Sequence, residues 1–257
     1  MTPEKIWISY YTMMRREFVR ILRIWSQTLL PPVVTTSLYF IVFGTFIGSQ
    51  LQPIHGFSYI QFIVPGLIMM AVITSSYSNT VSTFYFAKWA RNLDEILVSP
   101  TPDWVVIAGF VSGGVLRGLL VGILVLICSL FFTHLAIANV LVVVTALILT
   151  SILFSFAGLI NGIYAKGFDG ISIVPTFVLT PLTYLGGIFY SIEQFPVFWQ
   201  NVSLANPILY MVNAFRYGFL GVSDVPLFTC FAVLIGFAIA FAVISIQLFK
   251  RGVGFKN

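Results

Sequence analysis

The sequence FYFAKWARNLDEILVSPTPDW, residues Phe84–Trp104, separates two long apolar runs of the chain. Its middle, at about residues 87–98, has the pattern of a short amphipathic helix. Pro100 and Pro102 end that helix, because proline lacks a backbone N–H and disfavours helical geometry in the residue before it. Either the stretch is a solvated loop between two membrane spans, or it is a docking surface for a soluble partner. It carries two of the chain's 13 basic and three of its 8 acidic residues, namely Lys88, Arg91, Asp94, Glu95 and Asp103.

The composition is that of a protein embedded in lipid. Of the 257 residues, 59% are hydrophobic and 8% are charged, whereas soluble domains carry about 25% charged residues. The basic residues stand at the ends of apolar runs, which is typical of membrane topology rather than of a nucleic-acid-binding face. Cys128 and Cys230 lie inside apolar runs and are interpreted as buried apolar residues rather than a disulfide. The first apolar run follows a long charged segment and is long enough to span, which argues against a cleaved signal peptide.

Six stretches have the roughly 20 mainly apolar residues that a membrane span needs. Eleven of the 13 basic residues flank these stretches on one side; the others are Arg216, in an outer loop, and Arg117, inside a span. The positive-inside rule therefore predicts a multi-pass membrane protein with both termini in the cytoplasm. The predicted spans are Thr28–Gly48, Ser58–Thr83, Ser112–Phe132, Val140–Tyr164, Ser172–Tyr190 and Leu227–Phe249.

The N-terminal section, residues 1–27, contains an amphipathic helix pattern. This pattern predicts a helix that lies in the plane of the lipid headgroups; a helix packed on a partner's surface is the alternative. Its basic residues Lys5, Arg16, Arg20 and Arg23 lie on one face, and the opposite face carries Trp7, Tyr10, Met14, Phe18, Ile21, Leu22 and Trp25.

Two polar features fall within the predicted spans. Arg117 lies about 6 Å inside the third span, so its side chain can reach the cytoplasmic headgroups or pair with a neighbouring helix. A contact between Arg117 and a substrate is the alternative. The second span holds a cluster of hydroxyl and amide side chains between Thr74 and Thr83. Such residues pack membrane helices together, although they can also line a pathway.

The section at residues 191–226 is too long for a turn and too apolar for an open loop. Its two apolar pieces, Phe195–Leu204 and Ile208–Leu220, are each too short to cross a bilayer, which predicts re-entrant or interfacial helices on the outer face. The fifth span before it contains Pro175 and Pro181, so a kink is expected there.

Motifs for catalysis and metal binding were not found. His55 and His134 have no acidic or cysteine neighbour at ligand spacing, and no phosphate-binding loop is present: the glycine spacing of Gly162–Gly167 is followed by Phe168 instead of lysine. The chain is therefore not expected to hydrolyse ATP or to bind a cofactor. All eight acidic residues fall outside the predicted spans, which argues against a proton-coupled carrier.

Three stretches together resemble the permease subunit of the ABC-2 family of ATP-binding-cassette transporters, in its bacterial inner-membrane exporter form. They are Arg91–Pro100 (RNLDEILVSP), Tyr184–Asn201 (YLGGIFYSIEQFPVFWQN) and Asn206–Gly221 (NPILYMVNAFRYGFLG). The first departs from the family pattern, because Asp94 stands where glutamate is usual and an upstream glycine is missing. The order of the three stretches, with six spans between and around them, extends the resemblance over nearly the whole chain.

The resemblance implies a single ABC-2 type transmembrane domain over residues 1–257. It implies a homodimer of this permease, surrounded by membrane lipid, with two copies of a separate ATPase subunit that binds ATP and Mg²⁺. Residues 84–104 are then a coupling helix in a groove of that ATPase, with contact residues Lys88, Arg91, Leu93, Asp94, Glu95, Ile96, Leu97 and Pro100. The outer re-entrant section of the family corresponds here to Glu193, Pro196, Asn206, Pro207 and Arg216.

The function that the sequence favours is the membrane half of an ATP-driven exporter for a lipid, polysaccharide or amphipathic drug-like molecule. A secondary carrier or channel without an ATPase is the alternative. A lipid-modifying membrane enzyme is a third interpretation, but it requires His134, Asp224 and Ser191 to come together, and nothing in the sequence groups them.

Overall fold

The computed structural model describes residues 2–254, so Lys256, one of the basic residues expected on the cytoplasmic side, lies outside the described residues. The predicted all-α fold is confirmed for the described part of the chain. Its α-helices, in chain order, are α1 (Pro3–Arg23), α2 (Trp25–Thr28), α3 (Leu30–Tyr39), α4 (Tyr59–Trp89), α5 (Asn92–Val98), α6 (Asp103–Ser129), α7 (Val140–Tyr164), α8 (Phe168–Val174), α9 (Thr180–Tyr184), α10 (Val197–Leu204), α11 (Pro207–Leu220) and α12 (Leu227–Lys250).

Five helical stretches within residues 2–254 are long and apolar enough to cross a membrane. Four of them are the helices α4, α6, α7 and α12, and each overlaps a predicted span. The other, Trp25–Gly44, comprises α2, α3 and the start of a π-helix at Phe40–Ile47 that continues α3. The hydropathy of the sequence therefore located these five spans, although α4 continues six residues beyond the predicted end at Thr83.

The predicted fifth span is shorter and more broken than the sequence suggested. It consists of three short helical segments that follow one another directly. They are α8 with 7 residues, a π-helix at Pro175–Leu179 with 5 residues, and α9 with 5 residues. Beyond Tyr184 the chain turns, with Gly187 at a φ of +70°, so the stretch that was expected to reach Tyr190 is not helical at its outer end. A length of 17 helical residues is the lower limit for a span, and six spans remain a prediction.

Helix α4 is the centre of the bundle, since it packs on α6, α7 and α11. Glycines on its neighbours allow this close packing: a Cβ built on Gly158 of α7 would lie 2.5 Å from the carbonyl oxygen of Tyr77. Gly114 and Gly118 of α6 lie against hydroxyl groups of α4 and α7, which belong to Ser76, Thr80, Ser151 and Ser155. Part of the hydroxyl cluster in the second span therefore packs helices, as expected.

Helix α1 packs along α6 through the residues Met13 and Glu17, which are four positions apart. They lie against two α6 glycines with the same spacing, Gly109 and Gly113. The apolar face predicted from the sequence is only partly turned away from the protein: Trp7 and Phe18 are exposed, whereas Ile21 is fully buried. Helix α1 thus has a protein-facing side in addition to the exposed apolar face, whose position in the headgroup plane remains a prediction.

The section after α9 folds into two short helices, α10 and α11, at the two apolar pieces that the sequence indicated. Asn206 begins α11: its Oδ1 accepts a hydrogen bond from the backbone N–H of Ile208, and its Nδ2 donates to the carbonyl oxygen of Leu182. Pro207 occupies the first position of the helix, where a missing N–H has no intrahelical acceptor to lose. Most of α11 is buried, whereas α10 is mainly exposed.

Candidate functional site

The stretch after α4 reverses direction before it forms α5. The sequence suggested one helix at residues 87–98, but the structure interrupts it at Ala90 and Arg91. Arg91 has a φ of +59°, in the left-handed region that ends a helix and redirects the chain. Helix α5 is consequently a separate element of seven residues, with its own packing face and its own exposed edge.

The packing face of α5 is apolar and lies against the rest of the bundle. Leu93 is 1% exposed and belongs to a buried cluster with Phe84 and Phe110, while Ile96 and Leu97 pack partly against the same cluster. These three side chains were predicted to contact an ATPase. In this chain Leu93 is buried against the bundle, and Ile96 and Leu97 are partly buried there, so all three help to fix α5 to its own chain. Their contact with an ATPase stays a prediction.

The exposed side of α5 includes Asn92 and the residues Arg91, Asp94, Glu95 and Val98; we call the latter four the α5 edge. Val98 is 88% exposed although it is apolar. The sequence analysis missed Val98, because a valine beside Leu97 gives no sign of which of the two faces outward. Pro100, also exposed, continues this surface beyond the end of the helix.

Lys88 has a role inside the protein. Its Nζ donates hydrogen bonds to the carbonyl oxygens of Ile163 and Ala165, at 2.9 and 3.1 Å. These carbonyls are at the carboxyl end of α7, where the helix leaves acceptors unpaired and the macrodipole favours a cation. Lys88 therefore ties the end of α4 to the end of α7, and it is not part of the α5 edge.

A buried charge cluster lies where α1 meets α4 and α6. Glu17 is 1% exposed, and one of its oxygens accepts a hydrogen bond from Arg20 at 2.7 Å. Arg20 also donates to Oδ1 of Asn79 at 2.8 Å, and Arg16 lies 3.5 Å from the other Glu17 oxygen. The sequence analysis placed Glu17 only outside the predicted spans, on the N-terminal amphipathic helix. Its spacing of four from Met13 and from Ile21 was the available signal that it belongs to the packing face.

The outward side of α4 lines a groove between α3 and the α8–α9 segment. Met70, Thr74 and Ser78 of α4 form the floor of two adjoining cavities, of about 280 Å³ beside α3 and about 200 Å³ beside α9. We call the two cavities together the α4 groove. Thr74 and Ser78 are thus members of the second-span hydroxyl cluster that do not pack against α6 or α7.

Arg117 of α6 lines the larger cavity of this groove. Its Nη2 donates to the carbonyl oxygen of Thr28 at 3.1 Å, which joins α6 to the start of the first span. This contact supports the helix-packing interpretation of Arg117, while its position in the cavity leaves the substrate-contact alternative open.

The outer section is held by a second buried charge cluster. Arg216 is fully buried; its Nη2 donates to the carbonyl oxygen of Gly187 at 2.6 Å, and its guanidinium lies 3.8 Å from the centre of the Phe62 ring. Asp224, 2% exposed on its side chain, lies 4.0 Å from Arg216 and 3.4 Å from Nε2 of His55. Of the other predicted outer residues, Glu193 and Pro196 are exposed at the surface.

Asp224 also accepts hydrogen bonds from the hydroxyl of Ser191 and the backbone N–H of Ile192, both at 3.0 Å. Ser191 and Asp224 therefore meet, as the enzyme interpretation required, but the histidine beside them is His55 rather than His134. The Ser191 hydroxyl donates directly to the carboxylate, so no histidine is placed to activate it. Within the described residues no group of three His, Cys, Asp or Glu side chains could hold a metal ion.

Comparison with known proteins gives a consistent answer. The model of the ABC-2 type transporter family matches residues 8–220. The chain is 56% identical to the inner membrane transport permease YadH of Escherichia coli strain K12 over 251 residues, which cover 98% of each chain. It is 21% identical to nodulation protein J of Rhizobium leguminosarum bv. viciae, over 95% of this chain and 96% of that protein. The chain belongs to the ABC-2 type transporter family, as its three sequence motifs indicated.

Proposed function

We propose that this protein is the transmembrane permease subunit of an ATP-driven exporter in the bacterial inner membrane. The observation that carries the proposal is the α5 edge: a short helix fixed to the bundle by Leu93 presents exposed charges and the exposed Val98 on one side. A helix that transmits force to or from another protein has to be fixed on one face and free on the other. ATP and Mg²⁺ belong in this proposal to the separate ATPase subunit.

Val98→Asp is expected to lower the amount of ATPase that co-purifies with the permease by about tenfold. A well-packed apolar contact in such an interface contributes about 1–3 kcal/mol, and 1.4 kcal/mol is a factor of ten in affinity. The measurement is affinity purification of a tagged permease, with the bound ATP-binding-cassette subunit quantified by peptide mass spectrometry.

Val140→Asp is the matched control, because Val140 is also exposed but lies at the opposite end of the bundle, at the start of α7. The amount of ATPase that co-purifies with Val140→Asp is expected to equal the amount that co-purifies with the parent. If Val98→Asp retains the ATPase as well as the parent does, the α5 edge is not the docking surface. If no ATPase accompanies the parent even after chemical cross-linking, the exporter proposal fails as a whole.

The α4 groove supports a homodimer with a route for substrate between the two copies. Thr74 is exposed on a membrane-spanning helix, and Ser78 is half-buried beside it. Hydroxyl groups gain little from contact with lipid, whereas a second copy over the groove would enclose them in a polar passage. The exposed apolar side chains of the neighbouring α3, such as Val34 and Leu38, provide the apolar border that such an interface needs.

The proposed orientation places α5 in the cytoplasm and the α6–α7 connection outside. Single cysteines at Glu95 and Lys166 are expected to stay unlabelled by an impermeant thiol reagent in intact cells, while a cysteine at His134 reacts. All three positions are exposed on the protein surface. Cys128 and Cys230 are replaced by serine beforehand, and permeabilised cells are the control for reactivity. Labelling of the Glu95 position from outside would reverse the topology.

One observation favours the alternative, a secondary carrier or channel: the acidic residue Glu17, although outside the predicted spans, is buried in the bundle. Glu17 is nevertheless paired with Arg16 and Arg20, which is the arrangement of a structural ion pair at the contact between α1 and the bundle. Export that survives dissipation of the proton gradient but stops on depletion of ATP would exclude the carrier. A lipid, a polysaccharide and an amphipathic drug-like molecule all remain within the proposed range of substrates.

A further inference from the structure

The larger cavity of the α4 groove contains a positive charge without a counter-charge. Arg117 makes no ion pair among residues 2–254, and its Nε is buried without a hydrogen-bond partner in that part of the chain. Arg20 lies near enough for the two guanidinium groups to repel each other. Together with Arg16, three arginines share this corner of the bundle with the single carboxylate of Glu17.

The cavity lining adds hydroxyl and amide groups that can donate hydrogen bonds, without adding a negative charge. The hydroxyl of Ser75 is buried and, among the described residues, has no partner. Gln27 and Ser78 line the same space from α2 and α4. A buried donor without a partner, and above all a buried charge without one, is costly. An anion with several acceptor oxygens would satisfy both.

The position of the cavity indicates where such an anion comes from. With the predicted span and the proposed orientation, Arg117 lies about 6 Å inside the third span from its cytoplasmic side, which is close to the level of the inner headgroups. The cavity opens to the outside of the chain beside Thr35 and Thr74, both exposed. Leu67 and Met70 supply an apolar wall that continues away from Arg117.

We propose that this cavity binds the anionic, phosphate-type head of an amphiphile from the cytoplasmic leaflet, with Arg117 as the charge that selects it. The volume of about 280 Å³ equals about nine water molecules, which fits a phosphate ester and the first methylenes but not a whole lipid. The apolar tail then leaves through the opening between α3 and α4. The claim that this amphiphile is the exported substrate rests on the proposed function. The claim that the cavity binds it does not.

The test measures binding of phosphatidylglycerol to the purified permease by native mass spectrometry, with phosphatidylcholine as the neutral-head comparison. The parent is expected to bind phosphatidylglycerol more tightly than phosphatidylcholine. Arg117→Gln is expected to lower the affinity for phosphatidylglycerol about tenfold, the equivalent of about 1.4 kcal/mol. Arg117→Lys should keep much of the preference, since a lysine retains the charge but not the planar fork. Arg23→Gln is the matched control, because Arg23 is exposed on α1 and does not line the cavity.

Thr74→Phe keeps the test decisive if Arg117→Gln fails to fold, because it fills the mouth of the cavity and leaves the arginine in place. It should weaken phosphatidylglycerol binding to the same degree. Glycerol phosphate, which has the head but no tail, should bind far more weakly than the lipid; equal binding would identify a free phosphate site instead. Equal binding of both lipids by the parent, or unchanged selectivity in Arg117→Gln and Thr74→Phe, overturns the proposal.

A transport experiment distinguishes a lipid that is exported from a lipid that stays bound to the permease. Both results agree with the proposed binding site. Vesicles that contain the permease–ATPase complex and fluorescent phosphatidylglycerol are supplied with ATP. Movement of the label that depends on ATP and on Arg117 identifies cargo, and Arg117-dependent binding without movement identifies a resident lipid. Loss of ATPase docking in Val98→Asp tests the proposed function separately, since lipid binding to the permease alone does not require the ATPase.

Discussion

Arg216→Met is expected to destabilise the permease by about 3–5 kcal/mol, the range for breaking a buried charge pair by removal of one partner. Methionine retains much of the side-chain volume but loses the hydrogen bond to the carbonyl oxygen of Gly187 and the contact with the Phe62 ring. It also leaves the buried Asp224 without the guanidinium beside it. The midpoint of thermal unfolding in detergent should fall by about 10 °C.

The controls separate charge from packing. Arg23→Met removes an exposed arginine and should leave the unfolding midpoint unchanged. Arg216→Met combined with Asp224→Asn should be more stable than the sum of the two single changes, because asparagine carries no buried charge. Its single Oδ1 can still accept from the backbone N–H of Ile192, and its Nδ2 can donate to the Ser191 hydroxyl oxygen. Strict additivity of the two changes would mean that Arg216 and Asp224 do not interact and that the arginine acts only through Gly187 and Phe62.

The outer cluster explains why this part of the site was only partly predictable. Arg216 was singled out from the motif at Asn206–Gly221, but its environment depends on residues far away in the sequence, such as Phe62 in α4 and Gly187 after α9. His55 lies near Asp224 although 169 positions separate the two. Neither periodicity nor spacing carries information about such contacts, since they depend on how α4 and α11 pack together.

The spans were predictable for a different reason. Long apolar runs have few alternatives to a helix in lipid, and Val140–Tyr164 has the same bounds in the sequence analysis and in the structure. The end of α4 was misplaced because the second span was predicted to end at Thr83, before the charged stretch that contains Lys88. In the structure Lys88 is paired with the carbonyl end of α7, which allows the helix to continue to Trp89.

The same limitation applies to the question of which side of a helix is exposed, as the α5 edge and the buried Glu17 show. A polarity pattern assigns charged residues to solvent, and for Asp94 and Glu95 that assignment agrees with the structure. Glu17 is buried because Gly113 of α6 provides space for it, and Arg20 provides the opposite charge. Gly113 can be read from the sequence, but its contact with Glu17 cannot.

Gly114→Val is expected to destabilise the bundle about as strongly as Arg216→Met, because it separates two packed helices. A Cβ at residue 114 would contact the hydroxyl groups of Thr80 and Ser155 and lie 2.9 Å from the carbonyl oxygen of Ser76. Hydroxyl groups can rotate away, but the backbone carbonyl of α4 cannot, so α6 has to move off the central helix. Overpacking of this kind costs about 3 kcal/mol or more, and the branched side chain extends the conflict beyond Cβ.

Gly236→Val is the matched control for this prediction, since it makes the same substitution in a spanning helix, and a Cβ there meets nothing within 4 Å. Size-exclusion chromatography and thermal unfolding in detergent are the measurements. We expect Gly114→Val to lose most of its monodisperse protein, or to unfold about 6–12 °C lower, and Gly236→Val to behave as the parent does. Since α6 begins directly after the α5 region, a displaced α6 should also weaken ATPase co-purification, in proportion to the loss of folded protein. A Gly114→Val variant as stable as the parent would show that α4 and α6 are not held together through this close contact.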